Sequence, residues 1–371
     1  MKSSTDDAPA THTERLQNLL HGKSLDRPLF SAWGHVMNFC DRNAKDFAKA
    51  TIDFQDANDF DFIKIMSNPY YLLEDMGILL NAPERYDQCV TRSNRLLVPS
   101  PKDWGTIAFP DVHAGSLARE REAIRRVIGH YQGTVPVLAT IFTPAMWIAY
   151  SSLRSEDMEQ AENQFGSYIP LLERYLTGHE RHVRPALDRF AELNQRYMEA
   201  LLSDGVSGFF YCTEYARDLW TDRTVFEDFE KRYDLRILDS VRKDSLFNIL
   251  HVCGVGKLRM DWVLDYPVDA FNWDDRQPGN PSLADVRAAT EKILVGGLDR
   301  FRDLAGASRE EIKTRLLEKI RRATEQAGRN LIVSGGCDWT IGASHRFYIW
   351  REVMEELRTT GQGSETFKLY Q

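Results

Sequence analysis

The sequence predicts a single (β/α)8 barrel, with an N-terminal extension and an insertion after the second strand. Three observations carry this. Eight short, nearly continuous apolar runs recur along the chain, helix-patterned stretches separate them, and 371 residues suit one barrel of this type. Strands buried on both faces by flanking helices need no polar alternation, and unbroken apolar runs are what a covered parallel sheet requires.

The runs fall at Leu29–Trp33, Asp61–Met66, Val135–Thr140, Val206–Cys212, Leu246–His251, Val268–Trp273, Ile293–Leu298 and Asn330–Ser334. Between them, Ser282 with Asp285 and Ser308 with Glu311 have the spacing of capping boxes, in which a hydroxyl satisfies an orphan N–H. Ile312, Leu316, Leu317 and Ile320 form an apolar stripe at helical spacing, and Phe347, Trp350, Met354 and Leu357 form another in the last helix. Right-handed crossovers between eight parallel strands close into a barrel. An open doubly wound sheet is the alternative, but no glycine-rich phosphate turn follows the first strand. The weakly patterned stretch Asn81–Lys102 reads as the insertion. The whole, residues 1–371 with a barrel core at about 27–360, reads as one domain.

Composition narrows the function. With 43% hydrophobic and 27% charged residues the chain has the makings of an ordinary globular core. A net charge of −8 argues against nucleic acid or an anionic membrane as partner. The five cysteines are sparse and odd in number, unlike a disulfide framework. Met1–Thr13 is polar, without the apolar stretch of a secretion signal, and no run is long enough to span a bilayer. A reducing cytoplasm is the expected location.

Chemistry in such a barrel collects at the C-terminal ends of the strands. In "LFNILHVCG", His251 and Cys253 lie two apart and point the same way from an extended backbone. "LIVSGGCDW" brings Cys337 to the same mouth, with Gly254, Gly335 and Gly336 letting the backbone bend. One imidazole and two thiolates suit zinc and leave a position open, the mark of a catalytic ion. The competing reading makes both cysteines small buried hydrophobes and His251 a hydrogen-bonding core residue. Convergence of three such residues at two strand ends favours the metal.

The segments "ERLQNLLHGKSLDRPLF", "HVCG", "VGGLD" and "GGC" resemble the uroporphyrinogen decarboxylase superfamily, from about Glu14 to the last helix. One branch, the methylcobamide:thiol methyltransferases and corrinoid-dependent demethylase components, has a His-x-Cys and a distant Cys that bind zinc. His251, Cys253 and Cys337 match that pattern. The resemblance implies methyl transfer from methylcobalamin on a separate corrinoid protein to a thiol such as coenzyme M, or to tetrahydrofolate. It also leaves room for a homodimer. The decarboxylase branch fits less well. Its arginines after the first strand have no counterpart in "FSAWGHVMNF", and Asn68 of "MSNPYYLLEDMG" stands where its essential aspartate would. A neutral amide cannot stabilise a cationic pyrrole as a carboxylate does. Its active-site tyrosine does have a counterpart in Tyr150 of "TPAMWIAY", a residue that core packing explains equally well.

Several further residues are candidates at the strand ends. Glu214 is either a fourth zinc ligand displaced by substrate or a salt-bridged glutamate. Asp274, Asp275 and Asp299 either hydrogen-bond His251 and orient it or are solvated loop acids. Trp33, His35, Trp273 and Asp299 are the candidates for contact with a cofactor, with aromatic packing as the alternative for the tryptophans. A cofactor-free decarboxylase of another acid, and a non-catalytic barrel, are the rival functions.

Overall fold

The structure, a computed structural model, describes residues 10–34, 40–81, 90–306, 308–339 and 341–360. The strands in chain order are β1 (Leu29–Phe30), β2 (Ile63–Lys64), β3 (Leu80–Asn81), β4 (Thr91–Arg92), β5 (Val137–Phe142), β6 (Gly208–Thr213), β7 (Ile249–Val252), β8 (Ala270–Trp273), β9 (Ile293–Leu298) and β10 (Leu331–Gly335). Eight of them form one curled sheet in the order β1-β10-β9-β8-β7-β6-β5-β2, with every pair parallel. Each of the eight predicted runs therefore overlaps a strand of this sheet, with β5, β6, β7 and β10 running one or two residues further. The two edge strands face each other across short links. Asp61 N–H donates to Phe30 O at 2.9 Å, and the Ser31 hydroxyl to Phe62 O at 3.0 Å. The architecture is TIM-barrel-like.

Burial explains the apolar runs. Strands β6 to β10 are buried along their whole length, as a sheet covered on both faces demands. The helix Arg309–Ala327 packs on β9 and β10 through Ile312, Leu316 and Ile320, which are all buried. Leu317 is instead exposed: one residue past Leu316, it is turned about 100° round the helix from the middle of the stripe. In the last helix, Phe347–Thr360, all four predicted core residues are buried. Ser282 and Asp285 cap each other reciprocally. Ser308 accepts from Glu311 N–H, while the Glu311 carboxylate takes Arg315.

After β2 the chain makes a small antiparallel pair, β3 with β4, which the sequence pattern did not suggest. The following segment lies on the helix Pro144–Ser152 and its end, where Val98 N–H donates to Ser151 O and Arg92 to Leu153 O. Residues 82–89, within the expected insertion, and His35 lie outside the described residues. Among the described residues no helix is long and apolar enough to cross a membrane.

Candidate metal centre

The C-terminal mouth encloses a cavity of about 240 Å³, lined by residues from β2, β5, β6, β7 and β10 and their loops. Alternation along the strands builds it. On β6 and its end, Cys212 and Glu214 face in; on β7 and its end, His251 and Cys253 do so. Cys253 is held just past β7, its N–H donating to Thr213 O at 2.8 Å. Cys337 reaches the same space because β10 ends in glycine. A side chain at Gly336 would meet the Asp274 backbone at 2.0 Å, so only glycine lets β10 pass so near β8.

Three ligand atoms converge there. His251 Nε2 lies 3.8 Å from Cys337 Sγ, the two sulfurs are 3.9 Å apart, and all three atoms lie within 4.8 Å of one another. A tetrahedral zinc with Zn–S bonds of about 2.3 Å sets two sulfurs about 3.8 Å apart, which the spacing of Cys253 and Cys337 matches. The described cysteines are all free. Without metal, the Cys337 thiol is pushed up by its hydrogen bond with Cys253 and by burial; a bound cation would reverse that balance.

His251 is oriented by Asn272, whose Oδ1 lies 2.6 Å from Nδ1. The Asn272 amide nitrogen donates to Val295 O and Gly335 O, so its oxygen must face the ring. That assigns the proton to Nδ1 and leaves Nε2 as the free ligand. Of the two readings open for Asp274, Asp275 and Asp299, orientation of His251 does not hold for any of them. Asp274 pairs with Arg300 at 3.1 Å, and Asp275 accepts the Gly297 N–H. Asp299 caps its own turn through the Phe301 and Arg302 N–H groups.

Glu214 lines the cavity but is not one of the three clustered ligands. One carboxylate oxygen accepts the Tyr168 hydroxyl, and the other lies 3.4 Å from the Tyr150 hydroxyl. Burial raises its pKa, and the two tyrosine hydrogen bonds oppose the rise. It is neither exposed nor salt-bridged. Tyr150 also lines the cavity. Asn68 does not. Its amide donates to Asp41 and Glu74 at 2.7 and 2.9 Å, away from the cavity. Trp33 is buried against Phe62 and Phe210, and Trp273 donates to Pro281 O; neither lines the cavity.

The family model for uroporphyrinogen decarboxylase (URO-D) matches residues 12–346. The chain belongs to that family. No curated protein matches it in sequence. Among solved structures, this URO-D family member is similar to a methyltransferase from Methanosarcina mazei. The TM-score is 0.70 and the identity 17%, over 95% of this chain and all of that one. A B12-independent methionine synthase from a Shewanella species matches at TM-score 0.54 and 12% identity, over 86% of this chain and 88% of its own. A putative vitamin-B12-independent methionine synthase from Listeria monocytogenes matches at TM-score 0.54 and 14% identity, over 91% and 99%. Likeness at these identities is likeness of fold.

Four residues of this URO-D site escaped the sequence reading: Asn272, Tyr168, Lys64 and the Ser67–Glu120 pair's glutamate. Inward alternation along β8 points to Asn272, and along "FIKIM" to Lys64. Ser67 lines the cavity and donates to Glu120 at 2.5 Å. Burial pushes that carboxyl up to about 8, against the Ser67 hydrogen bond. Tyr168 and Glu120 come from distant helical segments, and no local pattern marks them.

Proposed function

We propose that this chain is a zinc-dependent methyltransferase. Its zinc would be held by His251 Nε2, Cys253 and Cys337, and it would move a methyl group between a corrinoid on a partner protein and a thiol or tetrahydrofolate acceptor. The observation that carries the reading is the convergence of one imidazole nitrogen and two sulfurs within 4.8 Å of one another, beside a cavity of about 240 Å³. The methyltransferase and methionine synthases of like fold support it.

Zinc in such a site supplies Lewis acidity, which lowers the pKa of an acceptor thiol. The protein's own groups do the rest. Asn272 keeps the proton on His251 Nδ1. Phe142, Met146 and Pro69 exclude water from the cavity wall. Glu214, raised by burial, is the base in reach, and takes the thiol proton on the oxygen beside Tyr150 while Tyr168 holds the other. The sulfur–carbon bond forms as the methyl–donor bond breaks, and that electron pair stays with the donor.

The names of two neighbours mark them as independent of vitamin B12, so methylcobalamin and a methylated folate are the two donor arms of the test. Zinc-loaded protein is mixed with either donor and a series of thiols, and methylated product and methyl–cobalt absorbance are followed. Transfer by the wild type that vanishes in Cys253→Ser supports the reading. No transfer to any acceptor at full zinc occupancy, or undiminished transfer in Cys253→Ser, rejects it.

A porphyrinogen decarboxylase is the rival. Asn68, which stands where that enzyme's essential aspartate would, is engaged with Asp41 and Glu74. Porphyrinogen should be turned over negligibly. Conversion at a physiological rate that is lost in Tyr150→Phe would reverse the ranking.

A further inference from the structure

The two cysteines of the metal centre sit on separate loops, and a chain of polar contacts ties those loops together. The Asn280 amide nitrogen donates to Gly254 O, beside Cys253, at 3.0 Å and to Asp274 O at 2.9 Å. The Asp274 carboxylate accepts from Arg300 Nε at 3.1 Å. The same guanidinium donates through Nη1 to Asp338 O at 2.7 Å, and that nitrogen lies 3.5 Å from Asp338 Oδ1. Asp338 directly follows Cys337. Arg300 therefore spans from the loop after β8 to the loop after β10, and the close passage that Gly336 permits puts both within its reach.

Asp338 gives this bridge an electrostatic task. Its Oδ1 accepts the Cys337 thiol at 3.0 Å, yet Asp338 is not one of the three clustered ligands. A metal ion displaces the thiol proton on binding, and the same carboxylate oxygen then faces a thiolate. Two like charges at that distance, in a partly buried site, repel strongly. The Arg300 side chain is 17% exposed and the Asp274 side chain that holds it 5%, so solvent screens the trio poorly. The guanidinium supplies the positive charge, and its planar fork lets one residue hold Asp274 and Asp338 together.

We propose that Arg300 is a positioning residue of the metal centre: anchored on Asp274, it holds the Asp338 loop and offsets the carboxylate beside Cys337. The inference rests on the metal reading of His251, Cys253 and Cys337. It asks nothing of the methyl donor or the acceptor.

The test is a double-variant cycle read on metal affinity and on a spectrum. Zinc dissociation constants of wild type, Arg300→Gln, Asp338→Asn and the double variant are measured at one pH by competition with a chelator. Cobalt(II) is the spectroscopic probe, through its thiolate-to-metal charge-transfer band. Arg300→Gln should weaken zinc about tenfold or more. Asp338→Asn should bind zinc at least as tightly as wild type. In the Asp338→Asn background, Arg300→Gln should cost less than about threefold. The charge-transfer band should weaken in Arg300→Gln and return in the double variant. An arginine with a merely structural role would lower affinity in both backgrounds, so the recovery is the deciding signal. The proposal is overturned if Arg300→Gln binds zinc as wild type does, or if its cost is the same with and without the Asp338 charge. It is overturned as well if Asp338→Asn alone weakens zinc about tenfold, a reading that stands even if Arg300→Gln does not fold. Any of these results in a zinc-binding wild type rejects this proposal alone. A wild type that takes up neither zinc nor cobalt rejects the metal centre and the proposal together.

Discussion

The two ends of the barrel hold buried polar clusters of opposite character. At the N-terminal end of β2, Asp61 is completely buried, yet every approach to it is occupied. Its oxygens accept from Arg27 at 2.6 and 3.0 Å, from Arg15 at 2.8 Å and from Phe30 N–H at 2.8 Å, and His12 lies at 3.0 Å. Burial alone would raise this carboxyl; Arg27, His12 and Arg15 outweigh it and hold it far below its usual range. At the C-terminal end, Cys253, Cys337 and His251 Nε2 converge beside the cavity. A closed network is a way of stabilising a fold. A convergent set of one imidazole and two thiols is suited to holding a ligand, and barrels keep these jobs at opposite ends.

If that contrast is right, removing Asp61 costs stability and removing a donor costs binding. Asp61→Ala leaves the buried Arg27 without its ion-pair partner and Arg15 with Asp26 alone, and should cost about 3–5 kcal/mol in denaturant unfolding. A loss below about 1 kcal/mol would mean the network is ornamental. The pH dependence has a definite sign. The folded carboxyl titrates far below the unfolded one, so its contribution is present above about pH 4 and fades as the pH falls further.

Glu120 behaves in the opposite sense. Its folded value is about 8, against about 4.3 in an unfolded chain. Between those values the unfolded chain releases its proton and the folded one keeps it, so stability falls as the pH rises. Glu120→Gln should keep the hydrogen bond from Ser67 and gain on wild type by roughly 3–4 kcal/mol between pH 5 and pH 8. Parallel curves for the two proteins would contradict this.

Asn272→Leu sharpens the comparison on the metal side. Losing the group that orients His251 should weaken metal affinity about 10- to 100-fold. An unchanged affinity, measured by competition with a chelator, would show that another group sets the ring.

Much of this was visible before any coordinates. All eight sheet strands were placed, because helices on both faces force the continuous apolar runs. The clustering of His251, Cys253 and Cys337 is legible because their types and spacing are chemically narrow. What escaped depended on contacts between distant segments. Asp274 and Asp275 are the commoner kind of histidine partner, but the turn after β8 carries them to Arg300 and to Gly297 N–H, leaving the in-facing Asn272 for the ring. Asn68 looked like a substituted catalytic aspartate; its side chain answers Asp41 and Glu74. Lys64 sits in an apolar run, and only the packing of Trp33 and Phe210 beneath it reveals a cation facing the cavity.

The central claim is that His251, Cys253 and Cys337 hold one zinc ion. Metal analysis of freshly purified wild type and Cys337→Ala tests it most directly, with circular dichroism to show that both are folded. About one zinc per chain in the wild type, and a strong loss in a folded Cys337→Ala, is the expected result. Full methyl-transfer activity in zinc-free wild type, or equal zinc in the two proteins, would contradict it.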